Sequence, residues 1–189
     1  AHYNVGLLLM DGSVRPRNLT AAAAEFRIAA DAGNPDAQYA YAVMLRAGNG
    51  VPRDREAGAR LLAAAAAQGH ADAAVEYAIA LFNGDGVAKS EERAAVLFLR
   101  SALSGNVIAM TRMARLYAAG RGVEMDRVRG AAWYLIARAR GSQDPYLDDV
   151  LAGLTADERV KADERAAALR GESRAAQATG LDAKPAGGQ

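Results

Sequence analysis

The sequence predicts an all-α fold: an α/α superhelix, or solenoid, of four 36-residue helix-loop-helix repeats followed by a C-terminal capping helix. Three observations carry that prediction. Gly12, Gly48, Gly84 and Gly120 recur at a spacing of 36 residues, and Gly33, Gly69, Gly105 and Gly141 form a second series with the same period. Each copy holds a helix-starting residue at the same register, which is Asn18, Asp54, Ser90 or Asp126. The composition agrees: 51% of the 189 residues are hydrophobic, much of that alanine, and only 6% are aromatic, which suits helices packed through small side chains better than a sheet.

The copies align as residues 1–36, 37–72, 73–108 and 109–144. A first helix opens each with Ala1, Ala37, Ala73 or Ala109. A small residue follows at Gly6, Ala42, Ala78 or Ala114, where it lets a neighbouring helix approach closely, and an apolar stripe reaches Leu9, Leu45, Leu81 or Tyr117. The first glycine series ends this helix, and a short loop leads to the N-cap of the second. That helix carries Ala22, Gly58, Ala94 or Gly130 and then a bulky residue, Phe26, Leu62, Phe98 or Tyr134. The second glycine series terminates it as left-handed C-caps. Asn34 with Pro35, Asn106 and Ser142 follow directly and are placed to cap the next helix.

These residues resemble the Sel-one-like repeat (SLR) family, relatives of the tetratricopeptide repeats, over about three quarters of the chain. Its loop pattern is matched by Gly48-Asn49-Gly50-Val51-Pro52-Arg53-Asp54, by Gly84-Asp85-Gly86-Val87, and by Gly120-Arg121-Gly122-Val123 through Asp126. The double alanine of the second helix stands at Ala29-Ala30 and Ala65-Ala66, and its aromatic pair at Trp133-Tyr134. Departures fall at Val14, where the second loop glycine belongs, at Ser90 for an aspartate and at Arg138 for an alanine; they are expected to alter local geometry without changing the fold. The resemblance implies a bacterial scaffold that assembles proteins. The alternative is a hydrolase or β-lactam-binding protein, since certain cysteine-rich SLR relatives have been linked to that chemistry, but they pair cysteines between helices and this chain has none.

Beyond Asp144 the period stops. Residues 145–170 are expected to form a C-terminal helical cap, with Thr155-Ala156-Asp157-Glu158 as a capping box and a helix running to about Leu169. Val160, Ala167 and Leu169 are assigned to its inner face, and Arg159, Lys161, Asp163 and Glu164 to its outer face. Residues 171–189 read as a disordered tail by composition. The chain starts at Ala1 on the first residue of a repeat, without a methionine or an equivalent N-terminal cap, which suggests a piece of something longer. Without cysteine the redox compartment is open; the resemblance to exported SLR proteins leans towards a periplasmic or exported location, with the cytoplasm as the alternative.

Groups suited to catalysis are sparse. Only two histidines exist, and His70 occupies the helix-start position held elsewhere by Asn34 and Asn106, which makes it an N-terminal polar residue. His2 has no periodic role and no obvious partner. The G-x-G loops lie between helices and lack a third glycine or a following Lys-Ser/Thr, so turn geometry explains them better than phosphate binding. Asp54 and Asp126 recur in register and read as caps. No catalytic set, cofactor or metal site is expected.

Charge is uneven. The fourth copy carries Arg112, Arg115, Arg121, Arg127, Arg129, Arg138 and Arg140 against Glu124, Asp126 and Asp144, a net of +4 in a chain of net +1. The rest of the chain is nearly balanced, which argues against nucleic acid, and no apolar run is long enough for membrane insertion. Arg138 and Arg140 are placed to face Asp148 and Asp149 of the cap. If positions 1, 5, 8 and 9 of each first helix face the core, positions 3, 4 and 7 face away. They read Tyr3, Asn4, Leu7; Tyr39, Ala40, Val43; Val75, Glu76, Ile79; Thr111, Arg112, Arg115. In related solenoids first helices line the concave surface, so the resemblance implies a concave face made of Tyr3, Asn4, Leu7, Tyr39, Val43, Glu76, Ile79, Arg112 and Arg115, taking a protein or peptide partner with an apolar stretch and an acidic end. Packing of Leu7, Val43 and Ile79 between adjacent repeats is the competing reading. The oligomeric state is not legible.

Overall fold

The computed structural model describes residues 1–12 and 16–179. Among these residues there are ten helices and no strand: α1 (His2–Asp11), α2 (Leu19–Asp31), α3 (Pro35–Ala47), α4 (Arg55–Ala67), α5 (Ala71–Asn83), α6 (Glu91–Leu103), α7 (Val107–Ala119), α8 (Arg127–Ala139), α9 (Pro145–Ala152) and α10 (Ala156–Thr179). Two compact units result, one spanning Ala1–Lys89 and a second beginning at Ser90.

The helices begin and end for local reasons. The side chains of Asn18, Asp54, Ser90 and Asp126 each accept a bond from the N–H three residues on, at 2.8–3.2 Å, so one otherwise orphan donor is satisfied in every second helix. Asn34 and Asn106 do the same for α3 and α7, and His70 does it for α5 through Nδ1, 3.1 Å from the Ala73 N–H. Ser142 does not cap a helix. The next one starts later, at Pro145, and Asp144 caps it. Both glycine series sit at positive φ where the helices close. The departure at Val14 lies outside the described residues.

Small residues set the distance between helices. In the first unit α1 packs on α2, α3 on α4, and the repeats join through α2 on α3 and α4 on α5. A Cβ added at Gly6 would stand 2.6 Å from the Phe26 ring, and one at Gly58 would stand 3.1 Å from the Ala42 carbonyl oxygen. Phe26 and Leu62 are fully buried there, within clusters of Ala22, Ala23 and Met44 and of Ala42, Ala65 and Ala73. In the second unit α7 packs on α8 and α6 on α7, and a Cβ at Gly130 would meet the Ala114 oxygen at 2.9 Å. Trp133, Tyr134, Phe98, Met110 and Met113 fill that core.

A tighter approach joins successive repeats. The second loop glycine lies on the backbone of the preceding repeat's second helix: a Cβ at Gly86 would be 2.2 Å from the Arg55 carbonyl oxygen, and one at Gly122 would be 2.2 Å from that of Glu91. Side chains straddle each contact, with Asp85 bonded to Arg55 at 2.8 Å and Arg121 bonded to Glu91.

The C-terminal helices cover the second unit. Helix α10 packs on α8 and α6, starting from the expected capping box, in which the Thr155 N–H donates to Glu158 at 2.8 Å and the Glu158 N–H donates back to the Thr155 hydroxyl at 3.3 Å. Its inner face differs from the expectation. Ala162, Ala166 and Leu169 are buried at i, i+4 and i+7, whereas Val160 is 57% exposed and Ala167 faces outward. The stripe is set by close-packing alanines rather than by the most apolar side chain. The helix also continues past Leu169 to Thr179, because Glu, Arg, Ala and Gln there are good helix formers; residues 180–189 of the expected tail lie outside the described residues. Helix α9 is held by Asp144, 5% exposed, whose carboxylate accepts from Arg115 Nε at 2.6 Å, Arg115 Nη2 at 2.9 Å and the Leu147 N–H at 3.3 Å. The Tyr134 hydroxyl accepts from the Asp144 N–H at 3.1 Å and donates to Asp148 at 2.8 Å.

Gly86→Ala and Gly122→Ala are each expected to lower the unfolding free energy by about 2–4 kcal/mol, from backbone overlap added to a left-handed φ. Gly33→Ala, at φ 85° with no atom within 4 Å of the added carbon, should cost only about 1–2 kcal/mol. Equal losses in urea titrations of the two kinds of variant would show that the close approach contributes nothing. Asp144 supplies a pH test. Burial pushes its carboxyl up, but the bonds and charge of Arg115 together with the Leu147 N–H outweigh this and hold it below its ordinary value of 3.8. Its contribution is then complete above that value and is lost as pH falls from there through the lower folded pKa. Asp144→Asn should cost about 1–2 kcal/mol at neutral pH, discounted because Arg115 is half exposed, and should flatten the acid limb of stability. An unchanged acid limb would refute this role.

Candidate partner-binding site

First helices leave part of their surface uncovered, and among the described residues they line a cavity in each unit. The one in the first unit has a volume of about 400 Å³ and is lined by Tyr39, Val43, Arg46, Arg53, Glu76 and Asp85, among others. Tyr39 stacks on His70 with ring centroids 4.7 Å apart, and its phenol is shifted up by burial and then by the charges of Asp72 and Glu76. Val43 is 42% exposed, and Glu76 is half-buried and makes no ion pair among the described residues. Arg46 donates to Asp85 at 2.8 Å while its Nη1 is buried without a hydrogen-bond partner, and Arg53 Nε donates to the Arg46 carbonyl at 3.0 Å.

The remaining expected residues of this unit lie elsewhere. Tyr3 packs against Phe26 at 5.8 Å between centroids, and Leu7 joins the same core cluster, so both hold α1 to α2. Asn4 is exposed, Ile79 is half-buried outside this lining, and Val75 at the equivalent of Tyr3 is buried. Tyr39 likewise packs against the Ala42, Leu62, Ala65 and Ala73 cluster, so the third position of the first helix is a packing position in three copies, and only Tyr39 of these also lines the cavity around Arg46.

In the second unit a cavity of about 360 Å³ is lined by Ile108, Thr111, Arg112, Arg115, Ser142 and Asp144. Arg112 and Arg115 share this lining but have different surroundings. Arg115 is bidentate to Asp144, and its guanidinium lies 5.6 Å from the Tyr146 ring centroid. Arg112 is exposed, with no hydrogen bond or ion pair among the described residues. The Thr111 and Ser142 hydroxyls are 2.8 Å apart beside it.

Most of the basic charge of the fourth copy is structural. Arg127 donates to the Gly153 carbonyl at 3.3 Å, and Arg129 lies over the Tyr117 ring at 5.0 Å. Arg138 faces Asp148 at 3.7 Å as expected, but Arg140 donates to the Gly105 carbonyl at 2.9 Å instead of facing Asp149. That carbonyl needs a donor at the end of α6 and wins the side chain. Sequence reading missed Arg46, Asp85 and Ser142 as site residues, because partners 31 to 39 residues away bring them there while the repeat pattern marks Asp85 only as a loop residue and Ser142 only as a cap. The histidines are occupied: His2 Nδ1 lies 2.6 Å from Glu25, and His70 caps α5. Among the described residues no group of three or more His, Cys, Asp or Glu is arranged to hold a metal, and no helix is long and apolar enough to cross a membrane.

Comparison with known proteins follows the same periodicity. The Sel1 repeat model matches four times, at residues 1–34, 35–70, 71–106 and 107–142, so each repeat ends two residues earlier than in the alignment by sequence, and the last three start at the first residue after an N-cap. No curated protein matches. Among solved structures, c5321, described as a protective antigen of uropathogenic Escherichia coli strains displaying an SLR fold, is 28% identical with a TM-score of 0.77, covering 92% of this chain and 37% of that one. A Sel1 repeat protein from Oxalobacter formigenes is 23% identical with a TM-score of 0.76, covering 92% of this chain and 72% of that one. The chain therefore spans little more than a third of the first neighbour. Four matched repeats over residues 1–142, in helices that begin and end in the same register, make this chain a member of the Sel1 repeat family.

Proposed function

We propose that this chain is a non-enzymatic interaction scaffold that takes protein or peptide segments on exposed first-helix surface, on α3 and α5 within the first unit and on α7 within the second. Members of the Sel1 repeat family are generally protein-interaction scaffolds. The observation that carries the reading here is local: the other charged groups lining the two first-helix cavities are paired, Arg46 with Asp85 and Arg115 with Asp144, or, like Arg53, bonded to a backbone carbonyl, whereas Glu76 and Arg112 form no ion pair among the described residues. Unpaired charge beside exposed apolar surface, here Val43 and Ile108, is the surface chemistry of a recognition site. A periplasmic or exported location belongs to the same proposal. The protective-antigen description of the first structural neighbour supports it, and recovery from the cytoplasmic fraction alone would overturn it.

A photo-crosslinking residue introduced at Val43 or Arg112 in the source cells is expected to capture a protein partner, whereas one at Val96, 68% exposed on a second helix, should capture none. Capture from Val96 alone would refute the assignment of the face. For a captured partner, Val43→Glu should weaken binding on the order of tenfold while leaving the melting temperature unchanged. Incubation of the purified chain with a chromogenic β-lactam should show no turnover; hydrolysis abolished by His2→Ala or His70→Ala would instead establish the enzymatic alternative.

A further inference from the structure

We infer that the cavity on α7 is a carboxylate-recognition site, with Arg112 as its anchor and Ser142 as its second donor, and that its ligand is an Asp or Glu side chain within a partner's polypeptide segment. The inference rests on the scaffold reading above and names the chemistry of one of its two cavities.

The charge balance comes first. Three ionised groups line the cavity, Arg112, Arg115 and Asp144, and two of them cancel in the bidentate pair. Asp144 also accepts the Leu147 N–H, so its carboxylate has little left to offer a ligand cation. The uncancelled charge is that of Arg112. Arg121, Arg127, Arg129, Arg138 and Arg140 of the same repeat all engage a carboxylate, a ring or a backbone carbonyl, which makes Arg112 the exception rather than one of a solvated set.

The donors come next. Ser142 and Thr111 bond to each other at 2.8 Å, and either can be the donor. Thr111 also donates to the Val107 carbonyl at 3.0 Å, so without a ligand its one proton goes there and Ser142 donates to Thr111; ligand binding moves the Thr111 proton from Val107 to Ser142. When Thr111 turns its proton to Ser142, the Ser142 proton is free to point at a ligand oxygen. A guanidinium and a hydroxyl side by side match the two oxygens of a carboxylate.

The surroundings decide which carboxylate. Ile108, 58% exposed, lies one turn before Arg112 on α7, and Tyr146, 43% exposed, lies by Arg115 one turn after it. Apolar surface on both sides of the cation fits a chain that continues past its acidic residue in both directions. A terminal carboxylate would use only one side.

A library of random 16-residue peptides, displayed between fixed linkers so that none has a free C-terminus, tests this against the whole chain. Selected peptides should share an acidic residue flanked by apolar ones. Synthetic versions, acetylated and amidated, should lose on the order of tenfold in affinity when that residue becomes Gln or Asn, and a similar factor on Arg112→Glu. A Lys in place of the acid should bind Arg112→Glu better than it binds the natural chain. Ser142→Ala should give a smaller loss, and unchanged melting temperatures would confirm that both variants fold. Peptides that bind on α3 or α5 and ignore Arg112→Glu would overturn the carboxylate site while leaving the scaffold reading standing. Binding only by free C-termini in a second library would overturn the choice of a side-chain ligand. Peptides selected that bind equally well after Val43→Glu and Arg112→Glu, or no peptides at all, would overturn both readings.

Discussion

The fold depends on a place where side chains must be absent. At each loop that crosses onto the preceding repeat, the backbone at Gly50, Gly86 or Gly122 lies so close to the carbonyl of Leu19, Arg55 or Glu91 that a single added carbon would overlap it at 2.2–2.4 Å. Non-directional apolar packing would leave the repeats free to slide, because alanine surfaces offer little to interlock. A backbone contact of this kind is available at one register only. It seats the N-cap and first turn of one second helix under the loop of the next repeat, and the positions of the helices follow. The glycines at the helix ends are needed for a different reason, their positive φ, and two of them, Gly33 and Gly141, have open space around them.

Charge adds order to this register. The loop residue beside the crossing glycine pairs with the first residue of the preceding second helix, but the polarity reverses from one junction to the next: Asp85 faces Arg55, and Arg121 faces Glu91. A fourth-repeat loop set on the second repeat would place Arg121 against Arg55, and a third-repeat loop set on the third repeat's own helix would place Asp85 against Glu91. Like charges at such a distance oppose docking, while each correct pair adds little where it is exposed to solvent. The Gly86 and Gly122 junctions are thereby told apart by one ion pair each, while the equivalent residues at the Gly50 junction, Asn49 and Leu19, are uncharged.

What could be read from the sequence divides along the range of the interactions. Caps and helix-ending glycines act within three or four residues, so the roles of Asn18, Asp54, Ser90, Asp126 and His70 are legible in the sequence itself. The inner face of α10 was not, since alanine is compatible with either side of a helix and Val160 drew the stripe the wrong way. The outward positions of the first helices were only partly legible. Tyr3 and Val75 turn inward because the third position lies at the edge of the apolar stripe, and whether it is covered depends on the size of neighbours such as Phe26. Arg112 and Arg115 looked equivalent, as two arginines one turn apart on the same helix must.

Their difference comes from a two-residue slip in register. Helices α3, α5 and α7 start at Pro35, Ala71 and Val107, which would place the next start at residue 143; α9 begins instead at Pro145. Asp36 and Asp72 lie in the first turns of their helices, exposed. The slip turns their copy-mate Asp144 into an N-cap, buried beneath the Tyr134 hydroxyl, and a buried carboxylate requires a cation. Arg115 is the cation in reach. The same slip relieves Ser142 of capping and leaves its hydroxyl beside Arg112, which no carboxylate among the described residues neutralises. One displaced helix start thus anchors the C-terminal cap with one arginine and leaves the other, with a hydroxyl next to it, at the surface.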